Sequence, residues 1–332
     1  VPTIFRKMFL VFWLGFCVIL TGCSGMLEEN GDLPLHDNEI VQAEHDGSSD
    51  ELSANGCYPD EEYISGEGIC TAPIACDNPS DCAVWGEDMV RKLGAQYGSF
   101  VDLEAVEMNE DEEANAEKEE DIVAEYGINN NWLISDGTNR DQAFHEQLWK
   151  DFAWMIPAQE RQMLTAFSVF SHVDTLAYVQ QDENDLETWS LGINVEPTTS
   201  PNETVGTLIH EFGHLLMLNA DQVNPYVEES ECPTYYWEDG CGNEDSYIYA
   251  FQTDFWPDSE YDYDEDMFVS EYAATNFVED IAESWMCFVL SDKPKGTKVA
   301  DQKVLFFYQY DELVMLRAEL LSRVASWMER NG

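Results

Sequence analysis

Thr207-Leu208-Ile209-His210-Glu211-Phe212-Gly213-His214-Leu215-Leu216 carries the pattern H-E-x-x-H inside an apolar run. Val205, Leu208, Ile209, Phe212, Leu215 and Leu216 recur at helical spacing, which predicts a largely buried helix. Its start is also written: Ser200 as N-cap, Pro201 at the first helical position and Glu203 three residues on make a capping box. Residues four apart share a helix face, so His210 and His214 can aim two imidazole nitrogens at one point. Two neutral imidazoles suit Zn²⁺, which takes nitrogen ligands in tetrahedral geometry. Glu211 follows the first histidine and is placed to act on water as a general base without being a ligand. Two core histidines and a stray glutamate are the bland alternative, but each would need its own buried partner in this run.

The rest of the chain sets the context. It has 332 residues, of which 44% are hydrophobic and 13% aromatic, enough for a sizeable core. Lys and Arg number 15 against 67 Asp and Glu, a net charge of −52. That excludes nucleic acid as a partner, because phosphate binding needs clustered cations. It is compatible with a solvated acidic surface, a cationic partner, bound Ca²⁺ or a high-salt habitat. No glycine-rich phosphate loop and no internal repeat occurs.

Residues 1–22 read as a targeting segment. Arg6 and Lys7 precede an apolar run over 8–20 that is too short for an ordinary membrane span. Leu20-Thr21-Gly22-Cys23 resembles the lipobox of bacterial lipoproteins, which implies export, lipidation of Cys23 and anchoring to the cell membrane or outer membrane. An ordinary secretory signal is the alternative. Residues 23–56 are polar and acidic and read as a flexible tether. Of nine cysteines, Cys57, Cys70, Cys76 and Cys82 cluster, and Cys232 and Cys241 form a second close set; in an exported protein these six read as disulfides. The cluster of four allows three pairings, with a zinc cluster as its rival reading. Cys287, in an apolar segment, reads as a buried free thiol.

Residues 57–138 read as a cysteine-rich, acidic extension, with an amphipathic helix over about 80–96 and a solvated charge run over 104–125. From 139 to 332 the pattern is a helix over 141–155, three strand-like runs over 163–171, 175–180 and 188–195, the H-E-x-x-H helix, and helices over 274–290 and 304–328. Helix, small mixed sheet, active-site helix and a helical end make an α+β arrangement.

A catalytic zinc keeps three protein ligands and one open position. No histidine follows His214, so the third ligand is a carboxylate or an upstream histidine. His145 and His172 precede the strands and read as core or surface residues. Tyr272-Ala-Ala-Thr-Asn276-Phe-Val-Glu279-Asp280-Ile-Ala-Glu283-Ser-Trp offers the carboxylate. Phe277, Val278, Ile281, Ala282 and Trp285 give it a buried helical face, and Glu279 and Glu283 share a face four residues apart. One can bind metal while the other accepts the free N–H of a ligand histidine. Asp280 reads as a solvated acid, and Asp221 is a weaker ligand candidate.

With both motifs in view, the chain resembles a gluzincin, a zinc peptidase with two histidines on one helix and a glutamate on the next. More narrowly it is similar to the protease domain of anthrax lethal factor and its bacterial relatives, which share H-E-F-G-H, a tyrosine and an N-x-x-E-x-x-A-E helix. The resemblance covers roughly 139 to 332 and implies a zincin-like metallopeptidase domain. It implies His210, His214 and Glu279 as ligands, Glu211 as base, Tyr272 as the hydroxyl that stabilises the oxyanion, and Glu283 as a supporting carboxylate. Glu279 follows His214 by 65 positions, a longer interval than that family needs, so no specificity carries over.

The expected activity is hydrolysis of peptide bonds in a peptide or protein substrate, lying along 187–195 as an edge strand. An acidic cleft would favour Lys or Arg near the cleaved bond. A non-catalytic zinc-binding lipoprotein and an adhesin or scaffold with a degenerate peptidase fold are the rival readings. Calcium is a structural possibility at acidic stretches such as 258–266, although no EF-hand loop is present.

Overall fold

A computed structural model describes residues 52–101 and 121–332, apart from 135–136, 138, 174, 196–198, 238–239 and 257–263. The targeting segment, Cys23, nearly all of the tether and most of the charge run lie outside the described residues. Within them the architecture is mixed α+β.

The first elements are the hairpin β1 (Glu62–Ile64) and β2 (Ile69–Thr71) and the helix α1 (Pro79–Tyr97). Asn78 caps α1 by accepting the Asp81 N–H, with Pro79 at the first helical position. The main sheet follows: β3 (Asp121–Asn129), β4 (Trp132–Ile134), then α2 (Gln142–Met155), β5 (Leu164–Ser171), β6 (Ala177–Gln181) and β7 (Trp189–Asn194). Its strand order is β4-β3-β5-β7-β6. Only the β5–β7 pair is parallel; β6 hairpins back on β7 and takes the outer edge.

Two expectations change here. The run over 187–195 is not an edge strand: β7 is an inner strand, and the edge belongs to β6. The physical reason is that Trp189, Leu191, Gly192 and Ile193 are all buried, as a strand covered on both sides requires. The end of the charge run, from Asp121, is strand β3, whose Tyr126 is the one fully buried side chain in an otherwise exposed or half-buried row. β3 and β4 precede residue 139 yet share the sheet with β5, and Arg317 and Leu321 of the last helix approach Gly86 of α1.

Phe167, Val169, Leu191 and Ile193 lie on one face of the sheet and are buried. That face packs against α2, where Trp149 meets Phe167 at 5.7 Å, and against α3 (Pro201–Leu218). The interval after α3 folds into β8 (Val223–Asn224), β9 (Tyr236–Trp237) and β10 (Gly240–Gly242), a small sheet, and α4 (Tyr247–Phe255). Helices α5 (Phe277–Leu290), α6 (Val299–Phe306) and α7 (Asp311–Asn331) complete the chain. The helix expected over 304–328 is thus two, broken by a 3-10 turn at Phe307–Gln309.

Three disulfides join pairs of described residues: Cys57–Cys70, Cys76–Cys82 and Cys232–Cys241. The first two resolve the cluster of four and leave no thiolates there for a zinc cluster. Cys287 is fully buried but is also disulfide-bonded, so it is not the expected free thiol; burial protects a sulfur without preventing it from pairing.

Candidate metal centre

The site is built where α3 crosses α5. The capping box at the start of α3 is formed as read: Ser200 Oγ accepts the Glu203 N–H at 3.2 Å while Glu203 Oε2 accepts the Ser200 N–H at 3.2 Å. One turn apart on the buried side, His210 and His214 place their rings 4.8 Å apart at 82°, with Nε2 to Nε2 at 3.1 Å. The Asn276 side chain caps α5, accepting the N–H groups of Val278 and Glu279 at 2.9 and 3.0 Å. That cap sets Glu279 in the first turn, where the helix dipole favours a carboxylate.

Glu279 Oε2 stands 3.3 Å from His210 Nε2 and 3.2 Å from His214 Nε2. All three side chains are buried, and as a group they could hold a metal ion. Glu279 Oε2 is fully enclosed yet accepts no hydrogen bond. A buried, unsatisfied carboxylate oxygen facing two imidazole nitrogens is costly unless a cation joins them. The donor set therefore fits a metal.

One turn along α5, Glu283 Oε1 lies 2.7 Å from His210 Nδ1, and its Oε2 accepts the Ser270 hydroxyl at 2.7 Å. Ser270 Oγ in turn accepts the Ala273 N–H at 3.0 Å. With its Nδ1 at Glu283, His210 turns Nε2 towards Glu279 and His214, the nitrogen at which a metal would replace a proton. Ser270 was not legible in the sequence, because a lone serine between Val269 and Glu271 carries no pattern.

The electrostatics follow from enclosure. Burial opposes charge on His210, but the carboxylates of Glu279 and Glu283 beside it outweigh that and raise the imidazole well above its ordinary value. Burial likewise opposes charge on Glu279, but His214 and His210 hold its carboxyl far below the usual range. Glu211 is pushed up by burial, partly offset by the two histidines and by the Val179 backbone of β6. Tyr272, in the 3-10 turn Tyr272–Ala274, lies 5.8 Å from the His210 ring. Burial, then the nearby Glu279 and Glu211, push its hydroxyl well above the ordinary tyrosine value, so it stays a donor.

The other candidates lie elsewhere. His145 is buried with its Nδ1 2.8 Å from the Tyr126 hydroxyl, and His172 Nδ1 accepts the Thr175 N–H at 3.0 Å. Asp221 is exposed beyond the end of α3. Asp280, read as solvated, is instead fully buried 2.6 Å from Lys303 Nζ; its helix is enclosed on all sides, and the paired cation together with the Trp256 Nε1–H offsets the acid's burial. Among the described residues one other group has metal-ligand spacing, Cys57, Glu61 and Cys70, but its two sulfurs are bonded to each other. Neither group is the all-oxygen set that calcium takes, and Asp266 of the acidic stretch is paired with Lys298 at 2.8 Å.

Compared with models of protein families, with characterised proteins and with solved structures, the chain gives no match.

Proposed function

We propose that the protein is a zinc-dependent endopeptidase with a zincin-like catalytic domain. One observation carries the reading: His210 Nε2, His214 Nε2 and the orphaned Glu279 Oε2 form a triangle with sides of 3.1, 3.2 and 3.3 Å. Ligands on a tetrahedral ion with bonds of ~2.0–2.1 Å are ~3.3–3.4 Å apart. Two nitrogens and one oxygen at that spacing suit zinc better than calcium, and three ligands leave the open position that catalysis needs.

When bound, zinc would polarise the scissile carbonyl and acidify water. The remaining chemistry belongs to the chain. Glu211, adjacent to a ligand but not among the ligands, takes a proton on its carboxylate and later returns it to the leaving amine. Its raised affinity for protons suits that exchange. Tyr272 keeps its hydroxyl proton and donates a hydrogen bond to the developing oxyanion. Edge strand β6 receives the substrate as an added strand. The bonds Asn194 N–H to Leu176 O and Asp182 N–H to Thr188 O set its phase, turning the backbone groups of Ala177, Val179 and Gln181 away from β7.

We also propose export and lipid anchoring through Cys23, which the three disulfides support because such bonds persist in oxidising compartments.

The test is zinc content together with cleavage of a peptide library by the purified protein. One zinc per chain, with cleavage abolished by a chelator and by Glu211→Gln, is expected. Zinc without any cleavage would leave a binding or scaffold protein, and no zinc would sink the reading.

A further inference from the structure

Lys303 is a fully buried lysine on α6, a helix that contributes nothing to the donor triangle. Its ammonium lies 2.6 Å from Asp280 Oδ2 and 3.7 Å from the centroid of the Phe268 ring, with the Trp256 ring at 5.9 Å. Asp280 follows Glu279 directly and stands three residues before Glu283. Phe268 stands two residues before Ser270 and four before Tyr272. The same oxygen of Asp280 accepts the Trp256 Nε1–H at 2.7 Å, and Ser284 Oγ approaches Oδ1 at 3.4 Å. The α6 backbone is tied to the loop as well, through Ala300 N–H to Asp266 O at 3.1 Å.

We propose that Lys303 is a positioning residue of the metal centre, one ammonium that fixes the helix bearing Glu279 and Glu283 relative to the loop bearing Ser270 and Tyr272. The inference rests on the zinc reading above. A buried ion pair is a poor source of stability, since desolvation offsets the attraction and an apolar pair of similar volume packs as well. Direction is what the pair adds. Apolar contacts let a helix turn a little about its axis; an ammonium 2.6 Å from one carboxylate oxygen and 3.7 Å from one ring centroid resists that turn by charge and close contact, although Nζ lies outside hydrogen-bond geometry. Asp280 lies on α5 next to Glu279 and one turn before Glu283, so pinning it limits rotation of the surface that turns both glutamates towards α3. Phe268 under the same ammonium keeps Ser270 in reach of Glu283.

The double variant Asp280→Asn/Lys303→Met tests this without leaving a charge unpaired, and the asparagine carbonyl still accepts the Trp256 Nε1–H. Zinc affinity is measured by competition with a chromophoric chelator, ligand geometry by the visible spectrum of bound Co²⁺, and folding by thermal denaturation of the metal-free protein. The expected result is a metal-free Tm at or above that of the wild type, zinc affinity lowered ~10–100-fold as for other outer partners of metal ligands, and an altered Co²⁺ spectrum. Phe268→Leu, which removes only the ring beneath the ammonium, is expected to weaken zinc several-fold and serves if the double variant does not fold. Wild-type zinc affinity and Co²⁺ spectrum in the double variant, or in Phe268→Leu if that is the one that folds, would overturn the proposal. A wild-type protein that binds no zinc would overturn the metal centre itself, a separate outcome of the same titration.

Discussion

Gly213 of α3 and Ala282 of α5 meet almost backbone to backbone: a β-carbon on Gly213 would stand 3.3 Å from the Ala282 Cα and 3.0 Å from Trp285 Cδ1. The two smallest residue types therefore sit at the helix crossing that brings His210, His214 and Glu279 together. Gly213→Ala opposes two effects. It gains ~1 kcal/mol of helix propensity while forcing Trp285 and α5 outward. We expect a folded protein with a Tm close to the wild type and weaker zinc binding, read by thermal denaturation and chelator competition. Unchanged affinity would show that the crossing tolerates the shift.

Glu283→Gln removes the charge opposite His210 Nδ1 and sets an amide N–H₂ or carbonyl against the Ser270 hydroxyl. Zinc affinity should drop ~10–100-fold, and Ser270→Ala, which removes only one hydrogen bond to Glu283, should lower it less. A chelator titration of both variants reads the order; Ser270→Ala weaker than Glu283→Gln would refute it.

Acid should loosen the contact between the N-terminal extension and the last helix. Burial would raise Glu61, Glu67 and Glu87, but Arg330, Arg323 with Arg161, and Arg317 respectively outweigh it and hold all three carboxyls below the ordinary 4.5. A group whose folded pKa is lowered adds stability that is fully present above its unfolded value and is lost as pH falls through the folded one. Urea midpoints should therefore fall as pH drops below about 4.5. Glu67→Gln, lacking one titrating group, should show a shallower fall; an identical pH profile would count against the assignment.

Glu87→Ala leaves Arg317, 1% exposed, with the carbonyls of Val289 and Ser291 and the Phe288 and Tyr308 rings but no carboxylate among its described partners. Removing one partner of a buried pair costs ~3–5 kcal/mol, and with those carbonyls retained the lower figure is expected in denaturant unfolding. Glu87→Ala/Arg317→Met should recover most of it.

If β6 is the substrate strand in so acidic a chain, peptides with Lys or Arg near the cleaved bond should be cut faster than acidic ones. Salt should reduce the difference, since screening weakens exposed charges. Equal rates for both peptide classes at low salt would remove the charge argument.

The candidate site was legible where chemistry and local structure share residues. Ser200, Pro201 and Glu203 announced α3, and the four-residue spacing of His210 and His214 announced that their imidazoles converge, as the 3.1 Å between their Nε2 atoms shows. Glu279 and Glu283 were legible as a shared face, while their separate roles needed the distances to His210. What stayed hidden depends on tertiary surroundings. Asp280 looks like any surface acid until Lys303 appears, twenty-three residues later in sequence. β3 was obscured because most of its side chains are exposed or half-buried, so no alternating apolar row survives. The break between α6 and α7 carries no glycine or proline; aromatic packing of Phe306, Phe307 and Tyr310 replaces the usual signal.

The arginines of α7 set a condition on how the molecule is made. Arg323 and Arg330 bind Glu67 and Glu61 across 256 and 269 positions of sequence, and Glu61 and Glu67 sit together in the loop closed by Cys57–Cys70. Contacts so distant form late. Synthesis delivers the glutamates first and their partners last, so this body cannot assemble vectorially as it emerges. Until α7 arrives, Glu61 lacks Arg330 and Glu67 has Arg161 alone.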